Sequence, residues 1–453
     1  MGILLMILFA ALETALAVLS LTKFSDKKDW LRIRVYVRGI EMILFIITML
    51  LPMTTFDFKY KLCFFVLLAR LLRNGIMHLC KRNSIEGKRS KAEAVFSAIF
   101  ATLSLVLALI PSLMFAEYDG LETSGPYKVN QAKAILTDTS RLETFENDGS
   151  NREVVATFYY PEVGEGSTEE YPLVIFSHGA FGYSQSNFSM YQELASNGYV
   201  VAALDHPYHA FFCKDTNGKT ILVNFAFIND VMMVNDDNTP ENDIYDYSSK
   251  WIKLRVDDMN FVVDSLEAGK ANPSEIDAWY TEDEKAKEGV KKAMSMVDIE
   301  HIGVMGHSLG GATSVTVGRI RKDIGAVVDL DGTMLGEQTG FADGKYSFVE
   351  EPYEVPLLVM DSQSHHDQGK FYNVLYVNNY VVEHAKEAYR VYIKDSEHMN
   401  FTDLPLFSPV LASKLGTGEV DAEECIRTIN SLVLQFMDHS LKGEGEFNPS
   451  ECY

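Results

Sequence analysis

Ile302-Gly-Val-Met-Gly-His-Ser-Leu-Gly-Gly-Ala-Thr313 is the stretch that decides the fold of this chain. Its first four residues, 302–305, form a short apolar run that is typical of a buried strand. Small residues follow Gly310, and residues 311–320 are compatible with a helix. Between strand and helix stands the pattern Gly-x-Ser-x-Gly, which in this context predicts a nucleophile elbow.

The spacing of the elbow has a physical reason. Gly306 and Gly310 lack the Cβ atoms that would prevent a close approach of strand and helix. The turn between them therefore presents the Ser308 hydroxyl in a cleft, and it aims the amide of Leu309 at the position where an oxyanion would form. The sequence thus predicts Ser308 as a nucleophile.

Apolar runs and helical segments alternate on both sides of this elbow. Predicted strands cover residues 154–160, 172–177, 199–204, 326–330, 356–360 and 388–393, and predicted helices cover residues 190–196, 252–266 and 426–439. This alternation predicts an α/β-hydrolase fold with a mainly parallel sheet. The active site of such a fold lies at the carboxyl ends of the strands.

A serine hydroxyl is a weak nucleophile, so it needs a base, and the base needs an acid to hold its tautomer. In this fold the chain order is serine, acid, histidine. His398 lies just after the last predicted strand, where the base is expected. The other histidines downstream of Ser308 are less suitably placed: His365, His366, His384 and His439.

Two aspartates are candidates for the acid. Asp361 ends the strand before the one that leads to His398, and Asp331 ends the strand before that. Asp329 lies on the same strand as Asp331, and we expect it to be buried further down the strand. Spacing alone leaves Asp331 and Asp361 equally suitable.

Composition limits the classes of function. The chain has 453 residues and a net charge of −23, and the acidic excess lies in the part after residue 116. An acidic body repels phosphate backbones, so we expect no nucleic-acid partner. The five cysteines show no metal-ligand spacing, and we predict no metal and no cofactor.

Residues 1–116 are predicted to be a bundle of about four transmembrane helices, at residues 3–21, 35–53, 60–80 and 92–116. Residues 117–453 would form the catalytic domain, with a polar, cap-like insertion at about 213–250. Inside the bundle, we expect Glu13, Glu41 and Arg70 to pair or to reach the interface.

Basic residues give the orientation of this bundle. They cluster around the loops between the first and second spans and between the third and fourth: Lys23, Lys27, Lys28, Arg32, Arg34, Arg38, Lys81, Arg82, Lys88, Arg89 and Lys91. Positive loops remain cytoplasmic, so both termini and the acidic body should lie outside the cell membrane. If residues 60–80 do not span, the body would lie inside.

Several separated motifs resemble the platelet-activating factor acetylhydrolase family, particularly its bacterial members. They are Tyr171-Pro-Leu-Val-Ile-Phe-Ser-His-Gly179, Gly306-His-Ser-Leu-Gly-Gly-Ala-Thr313, Leu330-Asp-Gly332 and His398-Met-Asn-Phe-Thr-Asp403. The entry segments Gly125-Pro-Tyr127, Leu136-Thr-Asp-Thr-Ser-Arg141 and Val155-Ala-Thr-Phe-Tyr-Tyr-Pro161 are similar to the same family. The resemblance extends from about residue 124 to 440.

The resemblance implies roles for particular residues. It favours Asp331 over Asp361 as the acid, and it implies that the amide of Ala180 joins that of Leu309 in the oxyanion hole. It also implies calcium-independent hydrolysis of short or oxidised sn-2 acyl chains from phospholipids, through an acyl-enzyme. The membrane helices and the insertion fall outside the resemblance, and the upstream His178 and His206 are expected to brace their loops.

Two other functions are also compatible with the sequence. The first is an inactive, membrane-bound sensor or binding module with a hydrolase-like domain, against which the complete set of serine, acid and histidine argues. The second is a peptidase or thioesterase of the same fold. The interpretation we favour is a membrane-anchored serine esterase acting on a phospholipid or another small ester.

Overall fold

The computed structural model describes residues 1–22, 26–51, 56–81, 87–88, 90–118, 120–164, 166–236 and 238–453. The chain divides into two compact units. The helical unit comprises Met1–Asp119 and Leu406–Leu411, and the sheet unit comprises Gly120–Pro405 and Ala412–Tyr453. Three of the basic residues that carry the orientation argument, Lys23, Arg82 and Arg89, lie outside the described residues.

The N-terminal helices are α1 (Gly2–Thr22), α2 (Lys27–Met49), α3 (Phe58–Lys81) and α4 (Lys91–Met114). Over the part of the chain that the structure describes, three helical stretches are long and apolar enough to cross a membrane: Gly2–Thr22, Phe58–Cys80 and Lys91–Met114. The first, third and fourth predicted spans coincide with these three stretches.

The second predicted span, residues 35–53, is not among these three stretches. It falls on α2, which ends at Met49, and residue 53 lies outside the described residues. Helix α2 is long enough, with 23 residues, but its basic and acidic residues make it less apolar than the other three helices. Charged residues of α1, α2 and α3 are paired with one another, as expected for Glu13, Glu41 and Arg70: Arg38 donates to Glu13 and Glu41, and Arg70 donates to Glu13.

The strands of the sheet unit are β1 (Val129–Leu142), β2 (Asn151–Pro161), β3 (Tyr171–Ser177), β4 (Val200–Asp205), β5 (Phe212–Lys214), β6 (Thr220–Leu222), β7 (Val297–His307), β8 (Ile324–Leu330), β9 (Gln338–Ala342), β10 (Lys345–Phe348), β11 (Leu357–Ser362) and β12 (Ala388–Ile393). Eight of them form one sheet in the order β1-β2-β4-β3-β7-β8-β11-β12. All neighbours from β4 to β12 are parallel, whereas β2 pairs antiparallel with both β1 and β4. The prediction of a mainly parallel sheet is confirmed. Strand β1 lies at the edge of the sheet and is not predicted, because exposed polar residues interrupt its apolar pattern.

The helices that follow are α5 (Phe188–Ser196), α6 (Phe225–Val234), α7 (Glu241–Ala271), α8 (Glu284–Ser295), α9 (Leu309–Ile320), α10 (Gln363–Tyr372), α11 (Val377–Glu383), α12 (Leu404–Phe407), α13 (Pro409–Leu415) and α14 (Ala422–Met437). All belong to the sheet unit except α12 and α13, which fall partly in the helical unit. Apolar cores fill both faces of the sheet: α7, α8 and α9 pack on one face, and α5 and α14 pack on the other. Burial on both faces explains the continuous apolar runs of the central strands.

The predicted polar insertion at residues 213–250 is more regular than a cap loop. It contains the β5–β6 hairpin, all of α6 and the first ten residues of α7. Helix α6 begins where the Asn224 side chain accepts hydrogen bonds from two amides of the first turn, and α7 begins with Glu241 and Asp243 near its positive end. The segment is also not polar throughout, because α6 is a short apolar helix.

Candidate active site

The turn between β7 and α9 has the geometry of an elbow. Ser308 has φ 56° and ψ −122°, a backbone conformation that is uncommon for a residue with a Cβ atom. Its amide donates a hydrogen bond of 2.8 Å to the carbonyl oxygen of Leu330 at the end of β8. A Cβ atom on Gly310 would lie 1.9 Å from the carbonyl oxygen of Ser177, so only glycine fits there. The side chain of Ser308 therefore emerges at the carboxyl ends of the central strands.

Two of the predicted site residues meet directly beside this turn. The Nδ1 atom of His398 lies 2.7 Å from Oδ2 of Asp331, and the Asp331 carboxylate is buried. With a carboxylate as acceptor, Nδ1 carries the hydrogen and Nε2 is left free to act as a base. The His398 side chain is 40% exposed, so a substrate can approach it.

Backbone contacts tie this pair to the elbow. His307, the neighbour of Ser308, donates from Nε2 to the carbonyl oxygen of His398 over 3.2 Å, and the two imidazole rings lie 4.5 Å apart. Asp331 directly follows Leu330, which accepts the Ser308 amide. Among the described residues, His398 contacts Asp331, whereas the Ser308 hydroxyl makes no hydrogen bond to His398 or to another residue.

Asp361, the alternative acid, is occupied elsewhere. Its Oδ2 atom accepts a hydrogen bond of 2.6 Å from Nε of Arg390 on the neighbouring strand β12. Asp329 is fully buried below Asp331, where it accepts from the amide of Gly332. Burial raises the pKa of both the Asp329 and the Asp361 carboxyl groups. The geometry therefore connects only Asp331 to His398.

A second imidazole, that of His365 at the start of α10, also approaches Asp331. Its Nδ1 atom lies 3.2 Å from Oδ1 of Asp331, which also accepts the amide of Ser362 over 2.5 Å. Burial would raise the pKa of the Asp331 carboxyl group, but the charge of the nearby His365, together with the hydrogen bond from His398, holds that pKa well below its usual range. Asp331 is therefore an anion at neutral pH, as an orienting acid must be.

His365 gives this cluster a pH-dependent stability. Burial alone would lower its pKa, but the carboxylates of Asp331, Asp361 and Asp329 raise the pKa of His365 to about 9. A pKa raised above the unfolded value of 6.5 stabilises the folded state fully below pH 6.5, and this stabilisation is lost as the pH rises towards 9. We expect His365 to contribute a fall of about 2 kcal/mol in the free energy of unfolding across that window.

Denaturant unfolding of the full chain in detergent, followed by tryptophan fluorescence at pH 6.5 and pH 9, measures this loss. In the His365→Gln protein the fall between the two pH values should shrink by about 2 kcal/mol. His384→Gln is the matched control, because its ring stacks on Tyr380 instead. An identical pH dependence in wild-type and His365→Gln proteins would contradict the ion pair.

Ligand atoms of Asp331, Asp361 and His365 lie within 4.8 Å of one another, close enough to surround a metal ion. Each carboxylate, however, already has a partner: Asp331 accepts from Ser362 and His398, and Asp361 accepts from Arg390. The cation that balances these acids is the imidazolium of His365. The donor set is therefore explained as an ion-pair cluster.

The two amides that are predicted to form an oxyanion hole are both available. Neither the Leu309 N–H nor the Ala180 N–H donates to an acceptor within the described residues. Leu309 begins α9, where the helix dipole favours negative charge, and Ala180 lies in the loop after β3. A Cβ atom on Gly179 would lie 3.3 Å from Cβ of Ser308, which places this loop against the elbow.

Sequence reasoning missed two histidines of this site. The sequence disfavours His365 because it follows the strand before the one that leads to His398, yet β11 and β12 are neighbours in the sheet, and the ring of His365 lies 6.0 Å from that of His398. His307 occupies the variable position of the Gly-x-Ser-x-Gly pattern, so the motif gives no indication of its role. Its position next to the nucleophile was the available signal.

A parallel sheet with an elbow after β7 defines the class of this protein as an α/β-hydrolase. The structure of a ferulic acid esterase from Streptomyces cinnamoneus is similar, with a TM-score of 0.52 and 21% sequence identity over 73% of this chain and 95% of that one. The predicted fold is confirmed.

The sequence model of platelet-activating factor acetylhydrolase, isoform II, matches residues 162–453, and the chain belongs to that family. The platelet-activating factor acetylhydrolase of Canis lupus familiaris is 22% identical over 287 residues, which cover 62% of this chain and 59% of the relative. That of Gallus gallus is 24% identical over 312 residues, 62% of this chain and 64% of the relative. The predicted family is confirmed, while less than two thirds of each relative is covered.

Proposed function

We propose that this protein is a serine carboxylic-ester hydrolase that acts through an acyl-enzyme. The observation that supports the proposal most directly is the 2.7 Å contact between His398 Nδ1 and Asp331 Oδ2 beside a strained serine turn. Ser308 Oγ attacks the ester carbonyl carbon while its proton passes to Nε2 of His398. Asp331 orients the imidazole and stabilises its charge.

The same groups complete the reaction. The developing oxyanion accepts hydrogen bonds from the amides of Leu309 and Ala180. The imidazolium of His398 then gives its proton to the leaving alcohol as the carbon–oxygen bond breaks. Water, deprotonated by His398, attacks the acyl-enzyme in the same way, and release of the carboxylic acid restores the Ser308 hydroxyl.

For the substrate we propose short-acyl or oxidised phospholipids, with other small esters as the broader class. Family membership supports this choice, because the relatives are named platelet-activating factor acetylhydrolases. The ferulic acid esterase of similar fold supports the broader class of esters. A set of apolar helices on the same chain is consistent with substrates that reside in or near membranes.

We further propose that the chain is anchored in the cell membrane with its sheet unit outside. Three apolar helices support the anchor. The orientation requires α2 to span as well, and the internal pairing of Arg38 with Glu13 and Glu41 reduces the cost of placing its charges in a bilayer. The other basic residues of the two positive loops then lie on the cytoplasmic side.

One labelling experiment tests both the chemistry and the orientation. Cells that express the full chain are treated with a membrane-impermeant fluorophosphonate, either intact or after lysis. Labelling at Ser308 in intact cells is the expected result. Labelling only after lysis would place the sheet unit inside the cell, and no labelling in either sample would favour an inactive sensor or binding module.

A substrate panel separates the remaining alternatives within this fold. Nitrophenyl acetate and a phosphatidylcholine with an acetyl group at sn-2 are compared with a long-chain phosphatidylcholine, an acyl thioester and a peptide amide. We expect the highest kcat/KM for the two short-chain esters. Preferential cleavage of the thioester or the peptide would replace the esterase proposal with the thioesterase or the peptidase.

A further inference from the structure

The loop after β3 carries the amide of Ala180 in a strained turn. Phe181, the next residue, has φ 62°, a left-handed conformation that side chains with a Cβ atom disfavour. The Phe181 amide donates to the carbonyl oxygen of His209 over 3.2 Å, and its ring lies 5.3 Å from that of Phe227. Such a turn persists only where its surroundings hold it, so the residues behind the loop matter.

The guanidinium of Arg255, a fully buried residue of α7, lies directly behind this loop. Its Nη1 atom donates to the carbonyl oxygen of His178 over 2.5 Å, and its Nη2 atom donates to the carbonyl oxygen of Gly179 over 3.3 Å. Its Nε atom donates to Nδ1 of His209 over 3.2 Å. The Arg255 guanidinium therefore donates to two consecutive carbonyl groups of the loop and to the ring of His209. The carbonyl oxygen of the same histidine accepts the Phe181 amide.

We propose that Arg255 is a positioning residue for the oxyanion hole, which it serves by orienting and polarising the peptide group between Gly179 and Ala180. The inference rests on the proposed function, because it assigns a purpose to the Ala180 amide. Arg255 touches no reacting atom, and it acts through the peptide group alone.

The planarity of the peptide bond links the two ends of this group. The carbonyl of Gly179 and the N–H of Ala180 belong to one plane and point in opposite directions, so fixing the oxygen also fixes the direction of the N–H. A cationic donor on the oxygen also polarises the group and makes the N–H a stronger donor. His178 adds a second hydrogen bond to the same oxygen from its own Nδ1, over 2.7 Å.

A buried polar chain holds Arg255 in turn. Asp258 accepts from His206 Nδ1 over 2.9 Å, His206 Nε2 accepts the Ser177 hydroxyl over 2.9 Å, and Ser177 accepts from Arg255 Nη1 over 3.3 Å. Arg152 pairs with Asp258 on the far side. The order Asp258, His206, Ser177 imitates a catalytic triad, but all three side chains are fully buried, so this serine cannot meet a substrate.

The charges in this chain are compatible with the role of Arg255. Burial lowers the pKa of the Arg255 guanidinium to about 9, against the opposing effect of the Asp258 carboxylate, so Arg255 is a cation at pH 7. Burial and the nearby Arg255 charge lower the pKa of His206 to about 4. His206 is therefore neutral and can accept from Ser177 while it donates to Asp258.

The test compares Arg255→Met and Arg255→Lys with Arg152→Met, each in the full chain. Arg152 is the matched control because it is equally buried and contacts the same Asp258, yet it does not contact the loop. Three quantities are measured with a short nitrophenyl ester: kcat, KM and the Ki of a trifluoromethyl ketone, which forms a tetrahedral oxyanion on a serine. Hydrogen exchange of the peptide covering residues 178–182 reports on the loop without any chemistry.

For Arg255→Met we expect kcat to fall and the ketone Ki to rise by about 10–100-fold, with KM changed by less than about twofold. Loop exchange should accelerate. Arg255→Lys keeps the charge but loses the paired donors, so its losses should lie between those of the wild-type and Arg255→Met proteins. The lysine variant also tests the proposal if the methionine protein does not fold. Arg152→Met should leave the ratio of Ki to KM unchanged.

Unchanged Ki and loop exchange in the Arg255 variants would overturn the inference, and so would an equal, selective rise in Ki for Arg152→Met. Failure of the proposed function looks different. A wild-type chain that neither hydrolyses the ester nor binds the ketone has no working oxyanion hole, whereas its loop exchange still shows whether Arg255 holds residues 178–182.

Discussion

A Ser308→Ala protein is expected to hydrolyse short esters with a kcat about 10⁵-fold below that of the wild-type chain. Without the hydroxyl no acyl-enzyme forms, and the remaining rate comes from the oxyanion hole and from substrate binding alone. KM should change little, because the hydroxyl contributes mainly to the transition state. The fold should survive, since among the described residues the Ser308 hydroxyl makes no hydrogen bond that its loss would leave unsatisfied.

The measurement is steady-state hydrolysis of nitrophenyl acetate, together with fluorophosphonate labelling of the same preparations. Ser314→Ala is the matched control: Ser314 lies on α9 beyond the elbow, and its hydroxyl donates only to the carbonyl oxygen of Gly310. We expect the Ser314→Ala protein to keep most of its activity. Undiminished esterase activity in the Ser308→Ala protein would end the proposal that Ser308 is the nucleophile.

Replacing Asp331 with asparagine is expected to lower kcat by about 10³–10⁴-fold. An amide in this position can donate to His398 Nδ1, and this favours the imidazole tautomer whose Nε2 carries a hydrogen and cannot accept one from Ser308. The variant also loses the anion that stabilises the imidazolium. Volume is conserved, so the loss reflects chemistry more than packing.

Asp361→Asn is the decisive comparison, because Asp361 is equally buried and lies at the end of the next strand. Its removal disturbs the pair with Arg390, and we expect a loss of stability with less than about tenfold loss of kcat. Circular dichroism melts separate stability from activity in both proteins. If Asp361→Asn lost activity as severely as we expect of Asp331→Asn, the acid would have to be reassigned.

The elbow illustrates what local sequence can predict. Strand, glycine pattern and helix lie close together along the chain, and the steric requirement at Gly310 is a property of that short segment. The central strands are equally predictable from the sequence, because a strand that is buried on both sheet faces needs an uninterrupted apolar run. The edge strand β1 and the exposed turns of α7 were missed for the opposite reason, since one solvated face permits almost any polar residue.

The helical unit shows where composition alone is ambiguous. A window of sequence around α2 contains enough apolar residues to suggest a span, while its charged residues argue against one. Whether a charge such as Arg38 is tolerated depends on partners from other helices, here Glu13 of α1. Such partners lie 25 residues away along the chain and are defined only when the helices pack.

By itself, the sequence determined the α/β class and the family of this protein, and it predicted Ser308 as the nucleophile and His398 as the base. The tertiary structure alone joined His398 to Asp331 and Asp361 to Arg390, and it alone brought His365 and Arg255 to the site. The physical reason is the distance along the chain over which each kind of signal acts. Helix and strand patterns record burial within a few residues, whereas ion pairs and hydrogen bonds between strand ends depend on which strands become neighbours, and that order is a property of the whole sheet.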